Sequence, residues 1–292
     1  MKSTNRFLNR NLFSLLFKRN LFKQFNSEKK SFRYLVADNF FNKDIINLVR
    51  DELPTIRSMS GERSGKAVNN KYHLSSFYEF GDNTKDFFVF LNSNIFLEYL
   101  EDITGIYGLI PDVSLSGGGI HRSFDGGFLK LHTDFPYHPK FKFKRALNLL
   151  IYLNPEWKKS YGGQLKLTNS NGKIVYEDIE PIINRIVLFE TSDISFHGHP
   201  DVMKLPNNLS RDSLALYYYT PAYQDQNSEH ITTNYVSDKK RKDNSPVAKI
   251  HYKPHRLILV FKKKIANIKY FSNKLRGNFY RFRKSIFKRK TK

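Results

Sequence analysis

From about residue 108 to residue 222 the sequence is a succession of short apolar or alternating segments separated by glycine, asparagine and proline. Segments of this length, separated by turn residues, are typical of consecutive antiparallel strands, and they leave no room for the helices of β-α-β units. The region is therefore predicted to form a β-sandwich or barrel. The predicted strands are 109–116, 128–134, 146–153, 163–169, 173–179, 185–191 and 212–220.

Ahead of this region the sequence predicts one strand and a group of supporting helices. Residues 31–40 alternate between apolar and polar side chains, which is typical of a strand. Residues 42–53 place their apolar side chains on one helical face behind Asn42, a residue type that caps helix N-termini. Residues 83–105 predict one or two helices that end at the glycine closing that range. The polar stretch 61–71 is predicted to be a loop.

The net charge of +22 is concentrated at the two ends of the chain. Residues 1–30 contain eight basic residues and one acidic residue, and residues 237–292 contain twenty basic and two acidic residues. The intervening residues 31–236 carry 21 basic and 24 acidic residues, as an ordinary globular domain does. We therefore predict a basic amphipathic N-terminal tail (1–30), a domain (31–236) with its sheet core at about 108–222, and a basic C-terminal extension (237–292).

The C-terminal extension carries an apolar stripe at helical spacing. Nine leucine, isoleucine and phenylalanine residues between Leu257 and Ile286 follow one another at intervals of three or four, among many lysines and arginines. This pattern predicts a long basic amphipathic helix. Such a helix binds an anionic membrane surface, packs on its own domain or contacts nucleic acid. Because nine apolar residues in one stripe need burial, we favour the first two and do not expect nucleic acid as a partner.

The composition also bears on compartment and chemistry. No apolar run reaches the roughly 18–20 residues that a membrane-spanning helix requires. Residues 1–27 are basic and free of acidic side chains, as transit peptides are, but the C-terminal extension has the same character. We therefore expect a cytoplasmic protein, peripheral to a membrane if its basic helix binds one. The chain has no cysteine, which excludes disulfides and thiolate chemistry.

Four histidines in two short segments are candidates for a metal site. Side chains two apart on a strand share a face, so His132 and Asp134 are predicted to point into one cavity. An imidazole and a carboxylate are two of the three protein ligands of a 2-His-1-carboxylate iron(II) site, and the third is a histidine further along the chain. The four candidates are His132 and His138 in "LHTDFPYH" and His197 and His199 in "SFHGHP".

Two residues at the start of the last predicted strand form a candidate anion clamp. Arg211 and Ser213 follow His197 by 14 and 16 residues and share one face of the strand. A buried guanidinium needs an anionic partner and pairs with a carboxylate through two hydrogen bonds, while a neighbouring hydroxyl adds another. We therefore expect a carboxylate-bearing molecule to bind beside the metal.

Together these segments resemble the prolyl 4-hydroxylase-like branch of the iron(II)- and 2-oxoglutarate-dependent dioxygenases. The resemblance covers roughly residues 108–222 and implies a mainly β fold, a double-stranded β-helix or jelly roll, with N-terminal supporting helices. This fold agrees with the strand pattern. The matching segments are "FLKLHTDF", "RALNLLIYLNPEW", "GGQLKL", "DIEPIINRIVLFETSDISFHGHP" and "RDSLALYYYT".

The resemblance also implies a site. It favours His197 over His199, since the triad has room for only two histidines, and it leaves His138 as a substrate-side or surface residue. Gly162 and Gly163 match a structural turn. The implied iron ligands are His132, Asp134 and His197, and the implied 2-oxoglutarate-binding residues are Arg211, Ser213 and Tyr152.

The implied activity is hydroxylation of a substrate coupled to oxidative decarboxylation of 2-oxoglutarate to succinate and CO2. It requires iron(II), 2-oxoglutarate and dioxygen, with ascorbate as a supporting reductant. The substrate stays open among a peptidyl proline, a free amino acid, a glycan and a small metabolite. Leu129 replaces a tyrosine of some protein-prolyl hydroxylases, and either His121 or Arg122 could face the pocket.

The alternative function is a catalytically inactive jelly roll that acts as a binding module with a membrane-binding or nucleic-acid-binding tail. It is disfavoured because every expected metal and co-substrate position is filled by a suitable residue. The sequence makes no prediction about oligomeric state.

Overall fold

The computed structural model describes residues 6–9, 12, 14–28, 32–62, 65–169, 172–173, 175–222 and 234–235. The predicted C-terminal helix lies outside the described residues, so that helix and the boundaries of the C-terminal extension stay predictions. The described residues form a curled antiparallel sheet and four α-helices.

Twelve strands of the described part form the sheet, and their order along its main path is β1-β9-β6-β11-β5-β10-β7-β8. The remaining four branch from this path: β3 and β12 pair with β5, β2 pairs with β3, and β4 pairs with β11. The strands are β1 (Tyr34–Ala37), β2 (Ser60–Glu62), β3 (Val68–Leu74), β4 (Ile110–Pro111), β5 (Gly119–Thr133), β6 (Lys144–Tyr152), β7 (Leu165–Thr168), β8 (Val175–Ile179), β9 (Ile186–Glu190), β10 (Phe196–His199), β11 (Arg211–Thr220) and β12 (Asn234–Tyr235).

The long strand β5 connects the two halves of the sheet. Its residues 119–123 pair with β11, whereas its residues 129 and 132 pair with β10. Between these two stretches Gly126 has a φ of +73°, in a region that glycine enters without strain, and the strand bends there. The sheet therefore curls on itself so that β5, β6, β10 and β11 surround one cavity. The predicted jelly-roll fold class is confirmed.

Four helices, α1 (Leu15–Phe25), α2 (Lys43–Asp51), α3 (Asp82–Leu91) and α4 (Asn94–Thr104), accompany the sheet. Asn42 caps α2 by accepting a hydrogen bond from the Asp44 amide, as predicted. The predicted helical stretch 83–105 is two helices, and Gly105 ends the second with a φ of +70°. Phenylalanines of α3 and leucines of α4 join leucines of β6 and β11 in the main hydrophobic core.

The N-terminal segment contributes to this core. The apolar side chains of Leu8, Leu12, Leu21 and Phe25 are buried within it, while the other face of α1 is exposed. Lys18 of that helix makes a 2.6 Å ion pair with Asp102 of α4. Part of the segment's apolar surface is therefore packed within the chain, whereas Leu15, Leu16 and Phe22 of α1 are exposed.

The predicted loop 61–71 is wrong at both of its ends. In the structure β2 and β3 form an antiparallel pair, and β3 extends the sheet by pairing with β5 from Leu74 to Val68. The stretch was taken for a loop because it is polar and lacks apolar alternation, whereas its strand conformation depends on pairing with β5. β5 itself is also longer than the predicted strand 128–134.

None of the helices within the described ranges combines the length and apolar character needed to cross a membrane.

Glu52, just after α2, accepts four hydrogen bonds at the start of α3, from the amides and side chains of Asn83 and Thr84. Partial burial alone would raise the pKa of Glu52, but these bonds outweigh it and hold the pKa below its ordinary value of 4.5. We expect Glu52→Gln to lower the free energy of unfolding by about 1–2 kcal/mol at pH 7, as loss of a helix cap does. Urea denaturation measures this difference.

The pH dependence of this effect has a definite sign. A carboxyl with a lowered pKa in the folded state stabilises the protein above its unfolded-state pKa, and this stabilisation is lost as the pH falls through the folded-state value. The difference between wild type and Glu52→Gln should therefore shrink as the pH is lowered below about 4.5. A difference independent of pH would contradict a role for the charge, and the exposed Glu79→Gln serves as the control.

Candidate active site

His132, Asp134 and His197 lie together at one end of the sheet. His132 is near the end of β5, directly opposite His197 of β10 in the strand register, and Asp134 follows β5 by one residue. The His132 Nε2 atom is 3.7 Å from Asp134 Oδ1, and the His197 Nε2 atom is 3.5 Å from Asp134 Oδ2. The strand alternation thus brings three groups with metal-binding atoms to within 4.8 Å of one another.

Backbone hydrogen bonds orient both imidazoles. The Nδ1 atom of His132 lies 2.8 Å from the Lys130 carbonyl, and the Nδ1 atom of His197 lies 3.0 Å from the Ser195 carbonyl. Because a carbonyl only accepts hydrogen bonds, each Nδ1 carries a proton and each Nε2 faces the cluster. Burial lowers the pKa of His132 to about 4, with a further contribution from the neighbouring His197, so its ring is neutral.

Asp134 is held in its ionised form by basic and amide groups. Burial alone would raise the pKa of Asp134, but Arg145, the two histidines and the Asn148 amide outweigh it and hold the pKa well below its usual range. Asn148 Nδ2 donates a hydrogen bond to Asp134 Oδ2, and Arg145 Nη1 lies 3.2 Å from the same oxygen.

Arg145 is a fully buried cation that the sequence analysis missed. Its guanidinium carbon lies 3.7 Å from the ring centres of both Phe135 and Tyr217, so the group is stacked between two aromatic rings. Its Nη2 atom also donates a 3.4 Å hydrogen bond to the Tyr219 hydroxyl. This arrangement fixes the guanidinium beside the Asp134 carboxylate.

The donor set fits iron(II). Two imidazoles whose Nε2 atoms face one carboxylate are the 2-His-1-carboxylate set that non-heme iron(II) oxygenases use. The hydrogen bonds from each Nδ1 to a carbonyl, and from Asn148 to Asp134, orient the ligand atoms as surrounding groups do in metal sites.

Arg211, at the start of β11, projects into the same cavity. Its Nε atom donates a 2.6 Å hydrogen bond to the Gly163 carbonyl, and its Nη2 atom lies 3.2 Å from the Tyr152 hydroxyl. Gly163 has a φ of +73°, and a Cβ there would come within 2.6 Å of the Met203 sulfur. The predicted glycine turn therefore has the local role of presenting a carbonyl to Arg211. Ser213 is opposite Tyr152 in the register of β11 and β6.

The cavity has a volume of about 230 Å³ and contains both groups of predicted residues. His132, Asp134 and His197 line one side, and Arg211 and Ser213 line another. Apolar side chains, among them Leu129, Leu150 and Leu165, complete its wall. The structure thus places the predicted metal cluster and the predicted anion clamp in one cavity.

The remaining histidines and Arg122 are also placed. His121 lines the cavity, whereas Arg122 points away from it and pairs with Asp212 at 2.8 Å. His199 lies in the cavity wall, outside the cluster of metal-binding atoms. His138 is buried and lies 3.4 Å from Asp112, so it is not a surface residue.

Comparison with known proteins identifies the domain. Residues 118–219, which include the metal cluster and Arg211, match the model of the 2OG-Fe(II) oxygenase superfamily. The chain carries a 2OG-Fe(II) oxygenase domain. The family that the sequence resembles is confirmed for these residues.

The relatives of this oxygenase domain include prolyl hydroxylases. It is 32% identical over 82 residues to the prolyl 3-hydroxylase OGFOD1 of Mus musculus, a match that covers 27% of this chain and 15% of that protein. The chain therefore matches only a small part of that relative's length.

The fold is similar to that of a solved prolyl hydroxylase structure. A prolyl hydroxylase from Trichoplax adhaerens, solved with a peptide fragment of the hypoxia inducible factor oxygen degradation domain, has a TM-score of 0.51 and 17% identity, covering 72% of this chain and 95% of that one. A Pseudomonas putida prolyl-4-hydroxylase has a TM-score of 0.47 and 16% identity, covering 68% and 98%.

Proposed function

We propose that this protein is an iron(II)- and 2-oxoglutarate-dependent dioxygenase that hydroxylates a substrate while 2-oxoglutarate is converted to succinate and CO2. The observation that carries the proposal is the cavity in which the His132, Asp134 and His197 cluster lies together with the buried Arg211. A metal cluster alone would fit many activities. A metal cluster with an arginine that has no acidic partner among the described residues fits a carboxylate-bearing co-substrate.

Each group has a role that follows from its contacts. His132, Asp134 and His197 would hold the iron, which when bound supplies the reaction with dioxygen. Arg211 would hold the distal carboxylate of 2-oxoglutarate. Tyr152, whose hydroxyl lies within hydrogen-bonding distance of Arg211, and Ser213, opposite it in the strand register, would complete the anion site.

The chain's own part in the chemistry is positioning and exclusion of water. Arg145 and Asn148 keep Asp134 ionised and oriented toward the two histidines. The leucines of the cavity wall limit access of water, which strengthens electrostatic interactions within the site. Ascorbate would support the enzyme as a reductant.

The substrate proposed here is a peptidyl, glycan or small molecule. The name of the mouse relative, a prolyl 3-hydroxylase, supports a peptidyl proline among these candidates. The proposed cytoplasmic location and the binding of an anionic membrane surface rest on the composition of the chain ends.

Purified protein with iron(II), 2-oxoglutarate and ascorbate is expected to form succinate slowly without added substrate. Arg211→Met should raise the Kd for 2-oxoglutarate by at least about 30-fold, because the distal carboxylate would lose its charged partner in a buried site. Calorimetry with the nickel(II)-loaded protein measures the Kd, and an assay of succinate measures turnover.

The exposed Arg57→Met is the matched control and should bind 2-oxoglutarate as wild type does. Wild-type protein that bound neither iron nor 2-oxoglutarate would refute the proposal. Binding of both without any succinate would favour the alternative of an inactive binding module.

A further inference from the structure

The cavity contains more basic groups than the proposed roles require. Lys71 of β3 and His199 of β10 both line it, next to Arg211. Among the described residues, the hydrogen-bonding contact of Lys71 Nζ is His121 Nδ1 at 3.4 Å, and no acidic side chain lies within ion-pair distance of it. Asp134, the acidic residue of the cavity lining, is already paired with Arg145.

The strand register places Lys71 and Arg211 in one row. Lys71 pairs with Ser123 of β5, and Ser123 pairs with Arg211 of β11. Residues opposite one another in neighbouring strands point to the same face, and two strand spacings separate their backbones by about 10 Å. Lysine and arginine side chains are long enough to meet over this distance. Both cations therefore project into the cavity from either side of Ser123.

His199 completes this group from a third direction. His199 is only 2% exposed, and neither of its ring nitrogens has a hydrogen-bond partner among the described residues. An imidazole carries at least one N–H in every tautomer, so His199 has a donor to offer in the cavity that Arg211 and Lys71 also line.

Two neighbouring cations and an unpartnered imidazole are unfavourable unless an anion binds among them. Burial and the charge of Arg211 lower the pKa of Lys71 to about 8, so the charged form of the lysine is disfavoured in the cavity. A carboxylate accepts about four hydrogen bonds through its two oxygens. Arg211 already donates to Gly163 and contacts Tyr152, so it leaves part of such a carboxylate free for other donors.

We propose that Lys71 and His199 bind the distal carboxylate of 2-oxoglutarate together with Arg211. This inference rests on the proposed function and adds two positioning residues to its co-substrate site. A carboxylate with three donors around it would give the site a strong preference for dicarboxylic over monocarboxylic 2-oxo acids. Lys71 would contribute most of that preference after Arg211, since it is the second cation.

The test compares 2-oxoglutarate with 2-oxopentanoate, which has the same carbon chain without the distal carboxylate. Both are titrated by calorimetry into nickel(II)-loaded wild type, Lys71→Met and Lys71→Arg, with the exposed Lys66→Met as a matched control. Lys71→Met should weaken binding of 2-oxoglutarate by about 10- to 100-fold, as loss of a charge-assisted hydrogen bond does, and leave 2-oxopentanoate unchanged. Lys71→Arg should retain most of the preference, and His199→Leu should lose a smaller part of it.

The outcomes separate this inference from the proposed function. If Lys71→Met binds 2-oxoglutarate as wild type does while Arg211→Met does not, the inference is overturned and the proposed function stands. Equal weakening of both 2-oxo acids also overturns it, because the variant would have changed the shape of the cavity. Wild type that binds neither compound overturns both.

Discussion

Replacing His197 with alanine is expected to lower the affinity for nickel(II) by more than about 100-fold, because loss of a ligand costs more than loss of a group that merely orients one. His199→Ala should leave nickel affinity nearly unchanged in the absence of 2-oxoglutarate. The reason is geometric, since the Nε2 atom of His197 lies 3.5 Å from Asp134 whereas His199 lies outside the cluster of metal-binding atoms.

Calorimetric titration of the metal-free protein measures both affinities, and the exposed His73→Ala provides a histidine control. The opposite pattern, in which His199→Ala loses nickel and His197→Ala retains it, would exchange the proposed roles of the two residues. Comparable losses in both variants would point to a shared structural cause.

Arg145→Met is expected to destabilise the protein by about 3–5 kcal/mol, the usual cost of breaking a buried ion pair by removing one partner. The Asp134 carboxylate would be left buried without its guanidinium, while the methionine still fills the space between Phe135 and Tyr217. Nickel(II) should restore part of this loss, because the metal ion supplies a positive charge beside the same carboxylate. Urea denaturation with and without nickel measures both effects.

The double variant Arg145→Met, Asp134→Asn separates charge from packing. The double variant has no buried carboxylate that lacks a positive partner. It should therefore be more stable than Arg145→Met alone and should gain no stability from nickel. If Arg145→Met destabilised the wild type and the Asp134→Asn protein equally, the guanidinium would be a packing residue and its role behind Asp134 would be contradicted.

The strand pattern was sufficient to predict the relation between His132 and Asp134. Their spacing of two places them on one face of β5, and the structure has their metal-binding atoms 3.7 Å apart. The same rule could not separate His197 from His199, because these two are also two apart and both line the cavity. The separation depends on the register of β10 with β5, which shifts between them: His197 is opposite His132 and His199 is opposite Leu129.

The residues that the sequence analysis missed depend on contacts between distant segments. Arg145 and Asn148 belong to a strand that reads as apolar, and nothing local indicates that they face Asp134. Lys71 lies in a polar stretch that was predicted to be a loop, and only the pairing of β3 with β5 turns it toward the cavity. The local signal that could have drawn attention to Arg145 and Asn148 is the presence of polar residues within an otherwise apolar strand sequence.

The N-terminal segment illustrates the same limit. Its basic amphipathic character was evident from the sequence, but the partner of its apolar face was not. In the structure Leu21 and Phe25 of α1 pack in the main core, which composition alone could not distinguish from binding to another surface.

We propose that one cavity of this protein binds iron(II) and 2-oxoglutarate together. The most direct measurement is the visible absorption of the iron(II) protein on addition of 2-oxoglutarate without oxygen, followed by admission of oxygen. We predict one iron per chain and a new band characteristic of an iron(II)–2-oxo acid complex, absent in His132→Ala, that decays as one succinate per iron is formed. Absence of the band in wild type, or its persistence in His132→Ala, would contradict this account.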